Sequence, residues 1–176
     1  MRIRSLVVAA TVALLAFAAA PASAGRGDDA KRKSKNGRVE GSVGGAGVVI
    51  EYGRPNVSGR EIWGALVPWG QVWRTGADEA TTIAFDRDVT VEGKPLAKGT
   101  YSLFTIPAEK GWTVVFNRVA EQWGAYDYDA KQDVLRVEVA ARAHEMTETL
   151  TFALEGDAVV VRWEKLEVPF RVSAGG

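Results

Sequence analysis

The stretch Leu150-Thr151-Phe152-Ala153-Leu154-Glu155-Gly156-Asp157-Ala158-Val159-Val160-Val161-Arg162-Trp163 decides the fold. Leu150, Phe152 and Leu154 alternate with Thr151 and Ala153, the period of two that arises when one face of a strand is buried. Val159, Val161 and Trp163 repeat the pattern against Val160 and Arg162, and Gly156-Asp157 between the runs predicts a hairpin. Downstream, Val168, Phe170 and Val172 alternate across Pro169 and Arg171; Pro169 has no amide to donate, which places that run at a sheet edge. Upstream, Leu135, Val137 and Val139 read as another strand, and Trp112 to Phe116 pairs with Gly99 to Ile106. Thr81 to Phe85 and Val89 to Val91 precede a turn over 92–96, and Gly47 to Tyr52 begins the apolar patterning. Apolar stripes at helical spacing do not persist anywhere, and only Arg60 to Leu66 suits a helical turn or two. The reading is all-β: an antiparallel sandwich or flattened barrel of about eight to ten strands, with one long Trp/Arg-rich loop.

Composition bounds the chemistry. A chain of 176 residues suits one main domain. It has no cysteine and one histidine, which excludes disulfides, thiolate chemistry, lipidated cysteine and a multi-histidine metal centre. Arg2 and Arg4 precede an uncharged apolar run from Leu6 to Ala20, and Ala22-Ser23-Ala24 supplies small residues for cleavage. Residues 1–24 therefore read as a secretory signal, too short for a membrane span, and predict a soluble periplasmic or secreted chain. Residues 25–38 carry six cations against two acids and no core-forming side chain, so they read as a disordered basic tail. The remaining domain, 39–176, holds 14 basic and 20 acidic groups, a balance that argues against nucleic-acid binding.

The unusual side chains gather between Tyr52 and Thr81. Tyr52-Gly53-Arg54-Pro55 is followed by Trp63, Trp69 and Trp73, then by Arg74-Thr75-Gly76-Ala77-Asp78-Glu79. A long irregular loop of this kind in a compact domain is often functional. Exposed indoles would offer stacking platforms to a glycan, and Arg74 beside Glu79 would make a clamp for an acid or a sugar diol. Arg54, Trp73, Arg74, Asp78, Glu79 and Tyr126 are accordingly the candidate ligand-binding residues. Thr75 and Asp78 also match a capping box, which without a following helix implies a tight turn.

A second cluster is Gln122-Trp123-Gly124-Ala125-Tyr126-Asp127-Tyr128-Asp129. In an extended chain Tyr126 and Tyr128 share one face, continuing the tryptophan-rich surface, and Asp127 and Asp129 share the other. The sequence assigns no metal and no cofactor: calcium needs about six to eight oxygen ligands, and no such loop surrounds the acids. His144 sits in a predicted connecting loop without partners for a hydrolytic triad. For carboxylate-dependent hydrolysis of an envelope glycan, Glu79 is the best candidate catalytic group, with Asp78 or Asp127 as second acid. A noncatalytic module binding a small polar ligand or envelope glycan is the leading reading, and a structural or protein-interacting domain is the third.

The segments Tyr52-Gly53-Arg54-Pro55, Trp73-Arg74-Thr75-Gly76-Ala77-Asp78-Glu79-Ala80-Thr81, Gly99-Thr100-Tyr101-Ser102-Leu103-Phe104, Trp123-Gly124-Ala125-Tyr126 and Arg162-Trp163 resemble a bacterial exported family, domain of unknown function 2911. The resemblance spans about residues 47–168. It implies export and a single domain of that type, and no reaction or cofactor.

Overall fold

The computed structural model describes residues 26–175, so the signal sequence read over 1–24 lies outside the described residues. Ten strands form: β1 (Lys35–Val43), β2 (Ala46–Arg54), β3 (Thr81–Phe85), β4 (Val89–Val91), β5 (Lys94–Leu96), β6 (Gly99–Ile106), β7 (Trp112–Asn117), β8 (Asp133–Val139), β9 (Arg142–Glu155) and β10 (Ala158–Ala174). Two antiparallel sheets result, ordered β1-β2-β3-β6-β7-β8 and β5-β4-β10-β9. Neither order closes on itself, so the architecture is a sandwich and not a barrel. Alternation drives the layering. In β2, Ala46, Val48, Ile50 and Tyr52 are buried, and they meet Leu150, Phe152, Val159, Val161 and Trp163 from the opposite sheet in one core. Each large side chain buried there contributes roughly 1.5–3 kcal/mol. Tyr52 ties the layers further: its ring lies edge-on to Phe152 at 4.7 Å, and its hydroxyl accepts from the Phe152 amide at 3.2 Å.

The hairpin around Gly156-Asp157 forms as its alternation predicts, with Val159 opposite Leu154 and Val161 opposite Phe152. β10 then doubles back. The Val172 amide donates to Asp157 O at 2.7 Å, although a straight strand would hold those positions roughly 50 Å apart. The reversal centres on Glu164, whose φ is 56° and where the register with β9 shifts. It explains why buried positions change parity, from 159, 161 and 163 to 168, 170 and 172: both halves face the same core. The edge expected for Pro169 is corrected, because β10 lies inside its sheet. The Val172 amide points to Asp157 and the Arg171 amide to Glu92, so alternation aims position 169 past the end of β4, where no amide is needed.

Four smaller expectations also change. Residues 60–66 form turns and no helix, and the segment after Glu92-Gly93 is strand β5. His144 lies on β9, half-buried, with Nδ1 2.8 Å from Glu145 O. The basic segment 25–38, expected as a structureless tail, is ordered from Arg26 onward. A short 3-10 turn over Asp29–Lys31 leads into β1, because its arginines find acids and carbonyls on the acidic domain.

Candidate functional site

The 52–81 loop crosses one end of the sandwich and is fastened to both sheets. At its start the Val57 amide donates to Glu148 O at 2.8 Å and the Leu150 amide to Pro55 O at 3.0 Å, tying it to β9. Further on, Trp73 and Thr105 exchange both backbone hydrogen bonds, at 2.8 and 2.9 Å, tying it to β6. Thr75 and Asp78 adopt left-handed φ of 53° and 62°. The capping box does not form: the Thr75 hydroxyl bonds to Trp73 O and Thr105 Oγ1, and Asp78 turns to Arg32. Thr81 Oγ1 donates to Thr75 O at 2.9 Å and closes the turn. Gly53 is required here, since a Cβ on it would lie 2.2 Å from Ala77 O.

The loop tryptophans are neither all exposed nor all buried. Trp63 is the hub, with ring centroids of Trp112, Trp73 and Trp163 at 5.0, 5.8 and 5.8 Å, all edge-to-face, and Trp69 stacked at 6.5 Å. Trp73 and Trp163 stack on each other at 5.7 Å. Trp69 keeps 36% of its surface exposed, whereas Trp73 keeps 8% and Trp163 2%. The indole N–H groups of Trp63 and Trp163 are buried without an acceptor among the described residues, an arrangement that costs about 1–3 kcal/mol each.

Beside this cluster opens a cleft of about 340 Å³. Its floor includes Trp73, Trp163 and Val67, and its walls carry Lys33, Arg60, Arg74 and Asp78. Arg60 is held in place by the Val57 and Asn56 carbonyls. Arg74 differs: its Nε is buried and has no hydrogen-bond partner among the described residues. Sequence reasoning found Trp73, Arg74 and Asp78 but missed Lys33, Arg60 and Trp163. Trp163 was legible only as a strand residue, and Lys33 only as part of a tail.

Arg74 and Glu79 do not form a clamp. Both Glu79 oxygens accept from the Arg32 guanidinium, which also reaches Asp78 Oδ2 at 3.2 Å. Arg26 adds an ion pair to Glu79 at 3.7 Å and donates to Ala80 O and Glu51 O at 2.6 and 3.0 Å. Hydrogen bonding from Arg32 holds the Glu79 carboxyl below its ordinary range despite partial burial. Glu79 instead lines a separate hollow of about 250 Å³ with Arg26, Gln122 and Trp123. Arg54 also leaves the site: its Nε is directed to Leu150 O, and its stem covers Gly37.

The 122–129 segment turns and is not extended, so Tyr126 and Tyr128 do not share a face. Tyr126 is 83% exposed and Trp123 56%, and Tyr126 does not line the Arg74 cleft. Tyr128 packs edge-on to Phe104 at 5.0 Å, covering the outer face of β6 with Val72 and Ala125. Its hydroxyl donates to Asp133 Oδ2 at 2.6 Å and accepts from Arg136 at 2.7 Å. Burial, then the Asp133 hydrogen bond, pushes its pKa up to about 12. Among the described residues no three His, Asp or Glu side chains gather to hold a metal ion, and no helix is long and apolar enough to cross a membrane.

The family model described as protein of unknown function (DUF2911) matches residues 34–172. The chain belongs to this family. No curated protein and no solved structure matches it. The DUF2911 match contains Arg60, Trp73, Arg74, Asp78 and Trp163, whereas Arg26, Arg32 and Lys33 precede it. The cleft is thus built mainly by the family domain and completed by an N-terminal segment that the match does not include.

Proposed function

We propose that this DUF2911 domain is an exported binding module that holds a small polar ligand or a glycan unit of the cell envelope in the Arg74 cleft. One observation carries the reading: a concavity of about 340 Å³ is floored by stacked Trp73 and Trp163, and buried N–H groups of Arg74 and Trp163 lack acceptors among the described residues. Cavities of this size suit a single ring or a molecule of similar bulk. An apolar floor beneath convergent polar groups that fix orientation is a common composition of small-molecule sites. Export rests on the leader-like residues 1–24, and a periplasmic or secreted setting would supply envelope sugars.

Catalysis by Glu79 is the weaker reading. A general acid must be kept protonated near neutral pH, and the Arg32 pair does the reverse. A thermal-shift screen of the chain against monosaccharides and small polar metabolites tests binding. A ligand at about 100 times its Kd stabilises by about 2.7 kcal/mol, which raises the midpoint by roughly 5–10 °C for a domain of this size. A flat response across the panel, with unchanged tryptophan emission, would reject the binding reading in favour of a structural role.

A further inference from the structure

We propose that the group this cleft captures is an oxyanion, a carboxylate or a phosphate on a ring-sized molecule, and that Arg74 grips it. The inference rests on the binding reading above and specifies the ligand's charge. Three cations, Lys33, Arg60 and Arg74, line the cleft against one acid, Asp78. Asp78 is already engaged by Arg32 at 3.2 Å, so its charge is largely answered from outside the cleft. Arg60 and Arg74 stand on a domain, residues 39–176, whose acids outnumber its bases by 20 to 14, so general composition does not account for them, and Lys33 is added by the basic segment ahead of it.

Arg74 supplies the specific contact. Its Nε–H is buried and unpartnered among the described residues. A cleft-lining guanidinium with no ion pair or hydrogen bond of its own among the described residues gains most from an acceptor that takes two of its outer N–H groups in parallel, which the two oxygens of a carboxylate or phosphate do. A neutral hydroxyl offers one acceptor and no charge. Arg60 is preorganised, because two of its nitrogens are fixed on the Val57 and Asn56 carbonyls. Lys33 approaches from the N-terminal segment, which the Arg32 pair with Glu79 pins to the domain. The small surface that Trp73 and Trp163 leave at the cleft then borders the ring that carries the anion.

The test is calorimetric titration of the full chain at low salt with glucuronate, glucose 6-phosphate and glucose. The three share one ring, and the first two carry the two candidate anions. At least one charged sugar should bind at least 10-fold tighter than glucose. Arg74→Gln should remove that preference, and 0.5 M NaCl should reduce it several-fold. Which charged sugar is preferred separates a carboxylate ligand from a phosphate ligand. Should Arg74→Gln disturb folding, Lys33→Gln replaces an exposed side chain and should still weaken the charged sugar two- to five-fold more than it weakens glucose. Equal binding of all three sugars, insensitive to both variants and to salt, overturns the oxyanion assignment and leaves the binding module standing. Failure of all three to bind, together with a flat thermal-shift screen, overturns both.

Discussion

Replacing Gly53 by alanine probes the link between the sheet and the cleft. Gly53 lies near the end of β2, and its own backbone is not left-handed, so alanine is conformationally acceptable there. The obstacle is space. The new Cβ would sit 2.2 Å from Ala77 O and 2.8 Å from Ala77 C, where 3.0 Å is the practical limit for such contacts. The 76–78 turn must therefore retreat by at least 0.8 Å, the difference between those limits. Overpacking of this kind costs about 1–3 kcal/mol, equivalent to a midpoint lowered by roughly 3–10 °C. Ala77 lies between Arg74 and Asp78, so the same retreat displaces the cleft wall and should weaken any cleft ligand about 10-fold or more. Urea denaturation followed by tryptophan emission reads the first effect, and titration with the preferred ligand reads the second. Gly111→Ala is the control: its Cβ would meet only Val139 O, at 3.8 Å, and the variant should match or slightly exceed the parent in stability. Parental stability and affinity in Gly53→Ala would refute the claim that close backbone approach at Gly53 sets the cleft.

Two further predictions concern charge. Arg32→Ala should cost about 1–2 kcal/mol at neutral pH and release the N-terminal segment to proteolysis. Since Arg32 lowers the Glu79 pKa, that stabilisation is fully present above the ordinary glutamate value of 4.5 and is lost as pH falls through the lower folded value. The gap between parent and variant must therefore narrow towards pH 3, and a constant gap from pH 7 to pH 3 would contradict the assignment. For Tyr128 the sign is opposite: a pKa raised from 10.0 to about 12 means stabilisation complete below 10 and lost as pH rises through 12. Ultraviolet titration should find Tyr128 still protonated at pH 11, and Tyr128→Phe should abolish the corresponding loss of stability.

Much of the fold was legible because alternation is local. Leu150, Phe152, Val159 and Val161 declare their inward face within a few residues, and Gly156-Asp157 places the turn between them. Pro169 misled because a missing amide matters only where a neighbouring strand waits for it, and the end of β4 is a fact of packing. The capping-box pattern of Thr75 and Asp78 likewise described a local option that lost to Thr105 and Arg32, both distant in sequence.

By itself the sequence determined most of the strands and the region where tryptophans and arginines concentrate, since each depends on periodicity or composition over short stretches. Only the tertiary structure decided which charges meet. Arg74 and Glu79 are five residues apart yet face different hollows, and Arg32, 47 residues from Glu79, becomes its partner. Electrostatic pairing depends on distance through space, which a left-handed turn and two packed sheets set and a linear spacing does not.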